Sequence, residues 1–425
     1  MRLLLVSTSC ENPVPSFLYS TGIASLISYV KANTTWEVIG SSLFNKDWSS
    51  ARDEFVDTLD TFKPDIVGFN VLSSNRFSSM EAALISRNKG ILTIAGGVHA
   101  SSLYHVSDIY NSMNFVIVGE GELTLVDFLK CYEYSGDLKN VLGVAYLNSD
   151  GSVVFTGVRT PIEDLDCLPI PDHSYVSDYI QTEKKAHLVT SRGCPGRCNF
   201  CSTGAFWGNK VRYKSVGAVV KEIEYLINTF SISSFMFHDD TFNITKNRVI
   251  EICKSIKELQ ARVPWHCVGR VKPVDEEMLV AMLESGCTNV VWGMETASVE
   301  LLNSLGKGIT VDSVVKTINL CRKVGMPCGF FVIVGHKGET QQTIDETVNF
   351  IKSNRITVAV DPMYLLPNTE LYAYAKSVDF INDNFWFETL NYSKYSYIHS
   401  LPVYTLENPI HVLLNWQQQI AGANR

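Results

Sequence analysis

Ser191-Arg192-Gly193-Cys194-Pro195-Gly196-Arg197-Cys198-Asn199-Phe200-Cys201 puts three cysteines on one short loop, separated by three and then two residues, with Gly and Pro between them. Soft thiolates suit iron, and small residues let a loop of this length wrap a metal centre. Three sulfurs can hold three irons of a cubane cluster and leave the fourth iron without a protein ligand. Such an open position is where a metal centre does chemistry. No fourth cysteine is close: the neighbours in sequence are Cys167 and Cys253. By spacing alone, a structural zinc site completed by a distant His or Cys would use the same three ligands.

Outward from this loop, the chain after residue 187 alternates strand-like and helix-like segments. Strands are predicted at 187–193, 233–240, 264–270, 288–295, 327–335 and 358–366. The segment after Ser215 shows the helical logic: Ser215 can cap, and Val219, Val220, Ile223, Leu226 and Ile227 recur on one face. Six consecutive βα units predict an incomplete parallel (β/α)6 barrel over 181–375. Because chemistry in barrels gathers at the carboxyl ends of strands, the cysteine loop falls at the barrel mouth. The N-terminal stretch carries a separate βα series, with apolar runs at 2–7, 37–42, 66–72, 91–97 and 115–121, and a hairpin at 142–148 and 152–156 around Asn148-Ser149-Asp150-Gly151. This predicts a doubly wound, Rossmann-like domain of flavodoxin type over 1–160, its ligand rim formed by the small residues after each strand. The acidic, proline-punctuated stretch at 161–180 reads as a linker. Residues 376–425 read as a C-terminal extension, whose aromatics Phe385, Trp386, Phe387, Tyr392, Tyr395 and Tyr397 are candidates for a roof over the substrate side.

Composition narrows the class. The chain has 425 residues, 46% of them hydrophobic, which suits two domains with real cores. A net charge of -8 and the absence of a Lys/Arg run argue against a nucleic-acid surface. No run of 18 apolar residues predicts a membrane span. Eleven cysteines without a secretory h-region fit a reducing cytoplasm rather than a disulfide scaffold.

With the cysteine loop placed on the first βα turn of a barrel, the chain resembles the radical S-adenosylmethionine superfamily, and within it the subgroup with an N-terminal cobalamin-binding domain. The likeness covers residues 1–375. It implies that Cys194, Cys198 and Cys201 hold a 4Fe-4S cluster, that S-adenosylmethionine occupies the open iron, and that reductive cleavage gives a 5'-deoxyadenosyl radical. By the same likeness, Asp239 and Asp240 in Phe237-His238-Asp239-Asp240-Thr241-Phe242 are candidates for the cofactor's ammonium. Adjacent residues on a strand point to opposite faces, so one of the two should reach it. Arg270 is the candidate partner of the cofactor carboxylate, and Glu295 lies where the family places a group near its ribose or amino-acid portion. The other reading of Arg270 and Glu295 is a structural ion pair between neighbouring strands. Lys307 also falls at a family position. In Gly335-His336-Lys337-Gly338-Glu339-Thr340, His336-Lys337 replaces the usual apolar-Pro pair, and in Pro367-Asn368-Thr369 an Asn replaces Gly at a position where Asn tolerates positive φ.

For the N-terminal domain the resemblance implies cobalamin over the strand ends, near Ser73, Gly96, Gly97, Gly119 and Glu120. No Asp-x-His-x-x-Gly motif occurs, so a cobalt-ligating His of that type is absent, and His99 reads as structural. Cys328 is a candidate hydrogen donor to a substrate radical if it faces the barrel interior; otherwise it is a small buried hydrophobe. The expected function is methylation of an unactivated carbon of a small-molecule or natural-product intermediate, with methylcobalamin as donor and a flavodoxin- or ferredoxin-type protein supplying electrons. Radical cyclisation, rearrangement or dehydration is the alternative within the superfamily. A non-catalytic cobalamin or metal sensor is a further one, against which the strand-end carboxylates and Arg270 speak.

Overall fold

The computed structural model describes residues 1–10, 19–44, 46–259, 261–388, 390, 395–398 and 400–424; Tyr392 of the aromatic stretch lies outside them. The chain divides into two compact units. The first comprises Met1–Ser177, Lys376–Asn391 and His399–Leu401; the second comprises Asp178–Ala375, Tyr392–Ile398 and Pro402–Arg425.

In the first unit the strands are β1 (Arg2–Ser7), β2 (Glu37–Ser42), β3 (Ile66–Asn70), β4 (Leu92–Gly96), β5 (Phe115–Ile117), β6 (Val144–Leu147) and β7 (Val153–Phe155). They form one sheet in the order β2-β1-β3-β4-β5-β6-β7, the first five parallel and the last two an antiparallel hairpin. The order 2-1-3-4-5 is that of a flavodoxin-like sheet, as the alternation of apolar runs and helices predicts. Both faces are buried, which is why the strands read as continuous apolar runs. Leu4, Val6, Val67 and Phe69 face a core shared with Phe55 and Leu59 of the helix Trp48–Phe62. Leu3, Leu5 and Ile66 face the opposite core, against Ile23 and Ile27 of Thr21–Asn33 and Phe128 of Gly121–Glu133.

The stretch predicted as a linker is folded onto this unit up to Ser177. Ile162 and Leu165 are buried, Tyr175 Oη donates to the Ser20 carbonyl at 2.6 Å, and Lys31 pairs with Asp172 at 2.7 Å. The predicted extension likewise is not one cap. Lys376–Asn391 belongs to the first unit, where Phe385 and Trp386 are buried, while the helix Ile410–Ala421 packs on the second. The aromatics at 385 and 386 are therefore buried residues of the N-terminal unit.

The second unit contains β8 (Lys185–Leu188), β9 (Ser191–Arg192), β10 (Arg212–Tyr213), β11 (Ser234–Phe237), β12 (Trp265–Arg270), β13 (Cys287–Glu295), β14 (Cys328–Val334) and β15 (Val358–Pro362). Six of them form an all-parallel sheet in the order β15-β14-β13-β12-β11-β8. β9 and β10 form a separate antiparallel ribbon that ties the base of the cysteine loop to the segment returning from it. Alternation sorts the barrel residues. Phe235, Phe237, Trp265 and Cys267 are buried beneath the helices, whereas Met236, His266, Val268 and Val291 stay half-exposed on the inner wall.

Candidate active site around the cysteine loop

The loop is fixed from below before any metal ligand is considered. Asp239, immediately beyond β11, is buried and accepts four hydrogen bonds: from Thr190 N and Oγ1, both at 2.6 Å, and from Ser191 N at 3.3 Å and Oγ at 2.8 Å. Burial pushes its carboxyl above the ordinary range even though these donors oppose the shift. Arg248 adds a second anchor, donating to the carbonyls of Thr190 (3.1 Å) and Lys214 (2.8 Å). Asp239 is therefore committed to the residues that enter the cysteine loop, a correction to its expected role on the cofactor ammonium. Asp240 points the other way, as alternation requires, and accepts from Thr203 Oγ1 at 3.0 Å beside the helix Thr203–Trp207 that follows the cysteines. On the far side, Asn199 N donates to the Leu305 carbonyl, and Asn199 Nδ2 donates to that of Ser304.

Held this way, Cys194, Cys198 and Cys201 line one cavity of about 380 Å³ together with Thr203, Asn368 and Glu370. All three thiols are half-exposed. Among the described residues no three Cys, His, Asp or Glu side chains converge on a point as ligands of a single ion. Three thiols around one cavity are a ligand set that a multi-iron cluster can use. Burial raises the Cys198 thiol, and the positive charges of Lys307 and Arg270 act against that rise, which favours the thiolate a metal needs.

Arg270, Glu295 and Lys307 meet beside Cys198. Lys307 Nζ donates to Glu295 Oε1 in a buried ion pair, and Arg270 Nη2 donates to the Lys307 carbonyl. Arg270 itself is set by Asn243, whose side chain accepts from Arg270 N (2.9 Å) and donates to its carbonyl (2.8 Å). Glu295 closes β13 at φ 69°, just past a register shift against β14. Asn368 adopts φ 62°, so the Asn-for-Gly replacement keeps the left-handed backbone expected there. In the departing loop after β14, Glu339 Oε2 accepts from Gly335 N and His336 N, so this loop holds its shape without the usual proline.

Cys328 does not face the interior. It opens β14 at the amino end and shares a face with the buried Phe330, Val332 and Val334; its neighbour is Cys321 on the helix Val311–Val324. With five residues at ~3.3 Å rise between it and Val334, it lies at the end of the strand opposite the cysteine loop. The hydrogen-donor reading is overturned by this geometry. What sequence reasoning missed is the inner wall itself. Register sets His187, Met236 and His266 side by side, and His238 stands above them, its ring 5.5 Å from that of His187. Burial and the neighbouring His266 hold His238 below its usual value; burial and Lys185 do the same to His266. The period-2 placement of these histidines was in the sequence, but the strand-to-strand register that gathers them was not.

In the first unit, the loops after β3, β4 and β5 carry the expected cobalamin residues. Ser73 Oγ and His99 Nδ1 are 2.8 Å apart, and Gly119 N donates to Ser101 Oγ at 3.0 Å. A Cβ at Gly97 (φ 92°) would lie 2.6 Å from Asn70 Oδ1 and 2.8 Å from the Val71 carbonyl, whereas one at Gly119 (φ 84°) would meet open space. Glu120 Oε2 accepts from Ile162 N at 3.3 Å. His99 is buried, with its ring 5.0 Å from that of Trp386, and burial holds its imidazole well below the ordinary value. It is a core histidine, as expected.

Comparison with known proteins agrees with this division. Residues 188–351 match the family described as Radical SAM superfamily, and residues 12–129 match the B12 binding domain. A Pyrococcus horikoshii protein named Uncharacterized methyltransferase PH0819 is 30% identical over 413 residues, covering 94% of this chain and 87% of that protein. The anaerobic magnesium-protoporphyrin IX monomethyl ester cyclase of Rubrivivax gelatinosus is 29% identical over 80% of this chain, and the cytidylyl-2-hydroxyethylphosphonate methyltransferase of Streptomyces wedmorensis is 27% identical over 70%. The chain spans just under two thirds of each of these two, 63% and 64%. Among solved structures, the radical S-adenosylmethionine methyltransferase TsrM of Kitasatospora setae superposes with a TM-score of 0.77 at 18% identity, covering 89% of this chain and 77% of that one. The cobalamin-dependent enzyme OxsB superposes with a TM-score of 0.71 at 19% identity, over 97% of this chain and 57% of that one; at such identities the shared feature is the fold. The chain belongs to the radical S-adenosylmethionine superfamily, in the subgroup that carries an N-terminal B12-binding domain.

Proposed function

We propose that this chain is a cobalamin-dependent radical S-adenosylmethionine methyltransferase acting on an unactivated carbon of a small molecule. The observation that carries the reading is the cavity in which Cys194, Cys198 and Cys201 stand together beside the Arg270, Lys307 and Glu295 cluster. When bound, the iron-sulfur cluster and S-adenosylmethionine supply a carbon radical by reductive cleavage, and cobalamin supplies the methyl group. The chain's own residues place and shield these groups. The three thiols would hold the cluster, and Arg270 and Lys307 present positive charge where a carboxylate of the bound cofactor would lie. The imidazoles of His187, His238 and His266 offer donors and acceptors to a polar substrate on the inner wall. Gly119 opens onto free space at the strand ends where cobalamin would lie, with Ser73, Gly96, Gly97 and Glu120 on the same rim.

Anaerobic reconstitution with iron, sulfide and cobalamin tests this. Wild-type protein should show 4Fe-4S absorption and stoichiometric corrinoid, and after reduction should release 5'-deoxyadenosine. Retention of the cluster signal in a Cys198→Ala variant would sink the central assignment. The similarity to the Rubrivivax cyclase favours one second reading, radical cyclisation without methyl transfer. Formation of 5'-deoxyadenosine with no methylated product from any accepted substrate would decide for it.

A further inference from the structure

Cys328 is left without a task once the hydrogen-donor role is set aside, and its surroundings differ from those of the other cysteines. The helix Val311–Val324 ends at Gly325 (φ 76°), and Met326 N closes the reversal on the Cys321 carbonyl at 2.8 Å. A left-handed glycine in that place turns the chain back at once, so the first residue of β14 meets the last turn of the helix. There the Cys321 S–H donates to the Cys328 sulfur. Val290 pairs with Cys328 and Trp292 with Phe330, which sets Trp292 one pleat further along the same face. Its indole N–H is fully buried, finds no oxygen or nitrogen acceptor among the described residues, and is turned toward both sulfurs.

Cys321 is buried, whereas Cys328 is half-exposed. The hydrogen bond from Cys321 draws the Cys328 thiol below its ordinary value against burial, and the Trp292 indole and the Arg322 charge add to the pull. Every other thiol displaced from its ordinary value, at Cys10, Cys131, Cys198, Cys253, Cys267 and Cys321, is displaced upward. A half-exposed thiol held toward the thiolate, with a second thiol in contact to resolve it, is the arrangement that oxidants select. We propose that Cys328 and Cys321 form a peroxide-reactive pair, a reversible modification site at the amino end of the barrel. The Cys328 thiolate attacks a peroxide oxygen and breaks the O–O bond, giving a sulfenic acid, and the departing hydroxide takes up a proton to become water. The Cys321 sulfur then attacks the sulfenic sulfur, the S–S bond forms, and the hydroxyl leaves with the Cys321 proton as a second water. The dithiol loses two electrons and the peroxide gains them. This site is independent of the cluster ligands and of methyl transfer.

The test uses the full chain, anaerobically reconstituted and exposed to hydrogen peroxide, then denatured, alkylated and digested with trypsin without reductant. Trypsin cuts after Lys316, Arg322, Lys323 and Lys337, so the disulfide joins peptides 317–322 and 324–337. That linked pair should appear and should vanish on treatment with dithiothreitol. Cys131, the other half-exposed cysteine outside the cysteine loop, should be consumed about tenfold more slowly than Cys328. In a Cys321→Ser variant, Cys328 should instead accumulate as a sulfenic acid trapped by dimedone. Consumption of Cys328 no faster than that of Cys131, or its linkage to a cysteine other than Cys321, would overturn the proposal on the wild-type chain alone, however the variant folds.

Discussion

Asp239 shows how a single carboxylate can be conspicuous in the sequence yet have its task set elsewhere. Alternation correctly required that Asp239 and Asp240 diverge, but which one turns inward depends on Thr190 and Ser191, which lie on the other side of the β8–β11 pairing and 49 and 48 residues away in sequence. If Asp239 anchors the loop, Asp239→Ala leaves buried hydroxyl and amide donors without an acceptor, at about 1–3 kcal/mol each, and should lower both stability and iron content. Normal melting and iron content with only weakened S-adenosylmethionine binding would restore the cofactor role. Glu339 gives a second residue-scale expectation. Burial pushes its carboxyl from 4.5 to about 7, against the pull of the Gly335 and His336 amides. A raised folded pKa means that the proton is held more tightly in the folded chain. The stabilisation is therefore complete below pH 4.5, declines as pH rises toward about 7, and is absent above it. His336 has the opposite sign: burial lowers it to about 4, so its contribution is present above pH 6.5 and declines as pH falls. Glu339→Gln should consequently be more favourable relative to wild type at about pH 8 than at about pH 5, by up to about 3 kcal/mol. Equal shifts in melting temperature at both pH values would contradict it.

The edge of the barrel sheet is managed by an element that the apolar pattern did not mark as important. β15 is an edge strand, and its free ladder positions are occupied by side-chain amides from the C-terminal helix and the residues after it. Asn424 accepts from Val358 N at 2.7 Å and donates to the Val358 carbonyl at 3.0 Å, while Gln417 Nε2 donates to the Val360 carbonyl at 2.8 Å. Leu413, Trp416 and Ile420 bury the same helix against the unit. An uncovered edge strand pairs readily with other chains. The Gln417→Ala, Asn424→Ala double variant should therefore cost about 1–2 kcal/mol and elute partly as larger species in size-exclusion chromatography. A monomeric variant of unchanged stability would show that the amides are incidental. At this scale the sequence was informative where periodicity is strong. The parallel strands of both units appear within a few residues of where apolar runs placed them, because strands buried on both faces must be apolar throughout. The β9–β10 ribbon was invisible because two residues per strand carry no period, and the inner-wall histidines were invisible because register is a property of pairs of strands. The cysteine loop was legible for the opposite reason: its ligand spacing is local.

For the whole molecule, chain order and spatial order part company at residue 376. The N-terminal unit is completed by Lys376–Asn391, which comes after the last strand of the barrel. The sequence showed only that helical and strand patterns decay there, and aromatic density was the sole signal of a packed segment. Trp386 is fully buried, its ring 5.0 Å from that of His99 and 5.1 Å from the Arg76 guanidinium, while Asp383 pairs with Lys376 at 2.6 Å and with His105 at 3.3 Å. The exposed Lys376–Asp383 ion pair contributes little, so the buried aromatics, Trp386 above all, carry the attachment. Trp386→Ala should cost the first unit about 3–5 kcal/mol, through lost burial and the cavity left behind. Trp386→Phe should cost less, because it keeps an aromatic face toward Arg76. His99 and Ser73 lie beside this contact and on the strand-end loops assigned to cobalamin. The alanine variant should therefore lose bound corrinoid and show an early calorimetric transition, while the cysteine loop, built wholly from residues of the second unit, keeps its iron. Loss of iron with corrinoid retained would mean that the segment serves the barrel instead, and that the N-terminal unit is complete by Ser177.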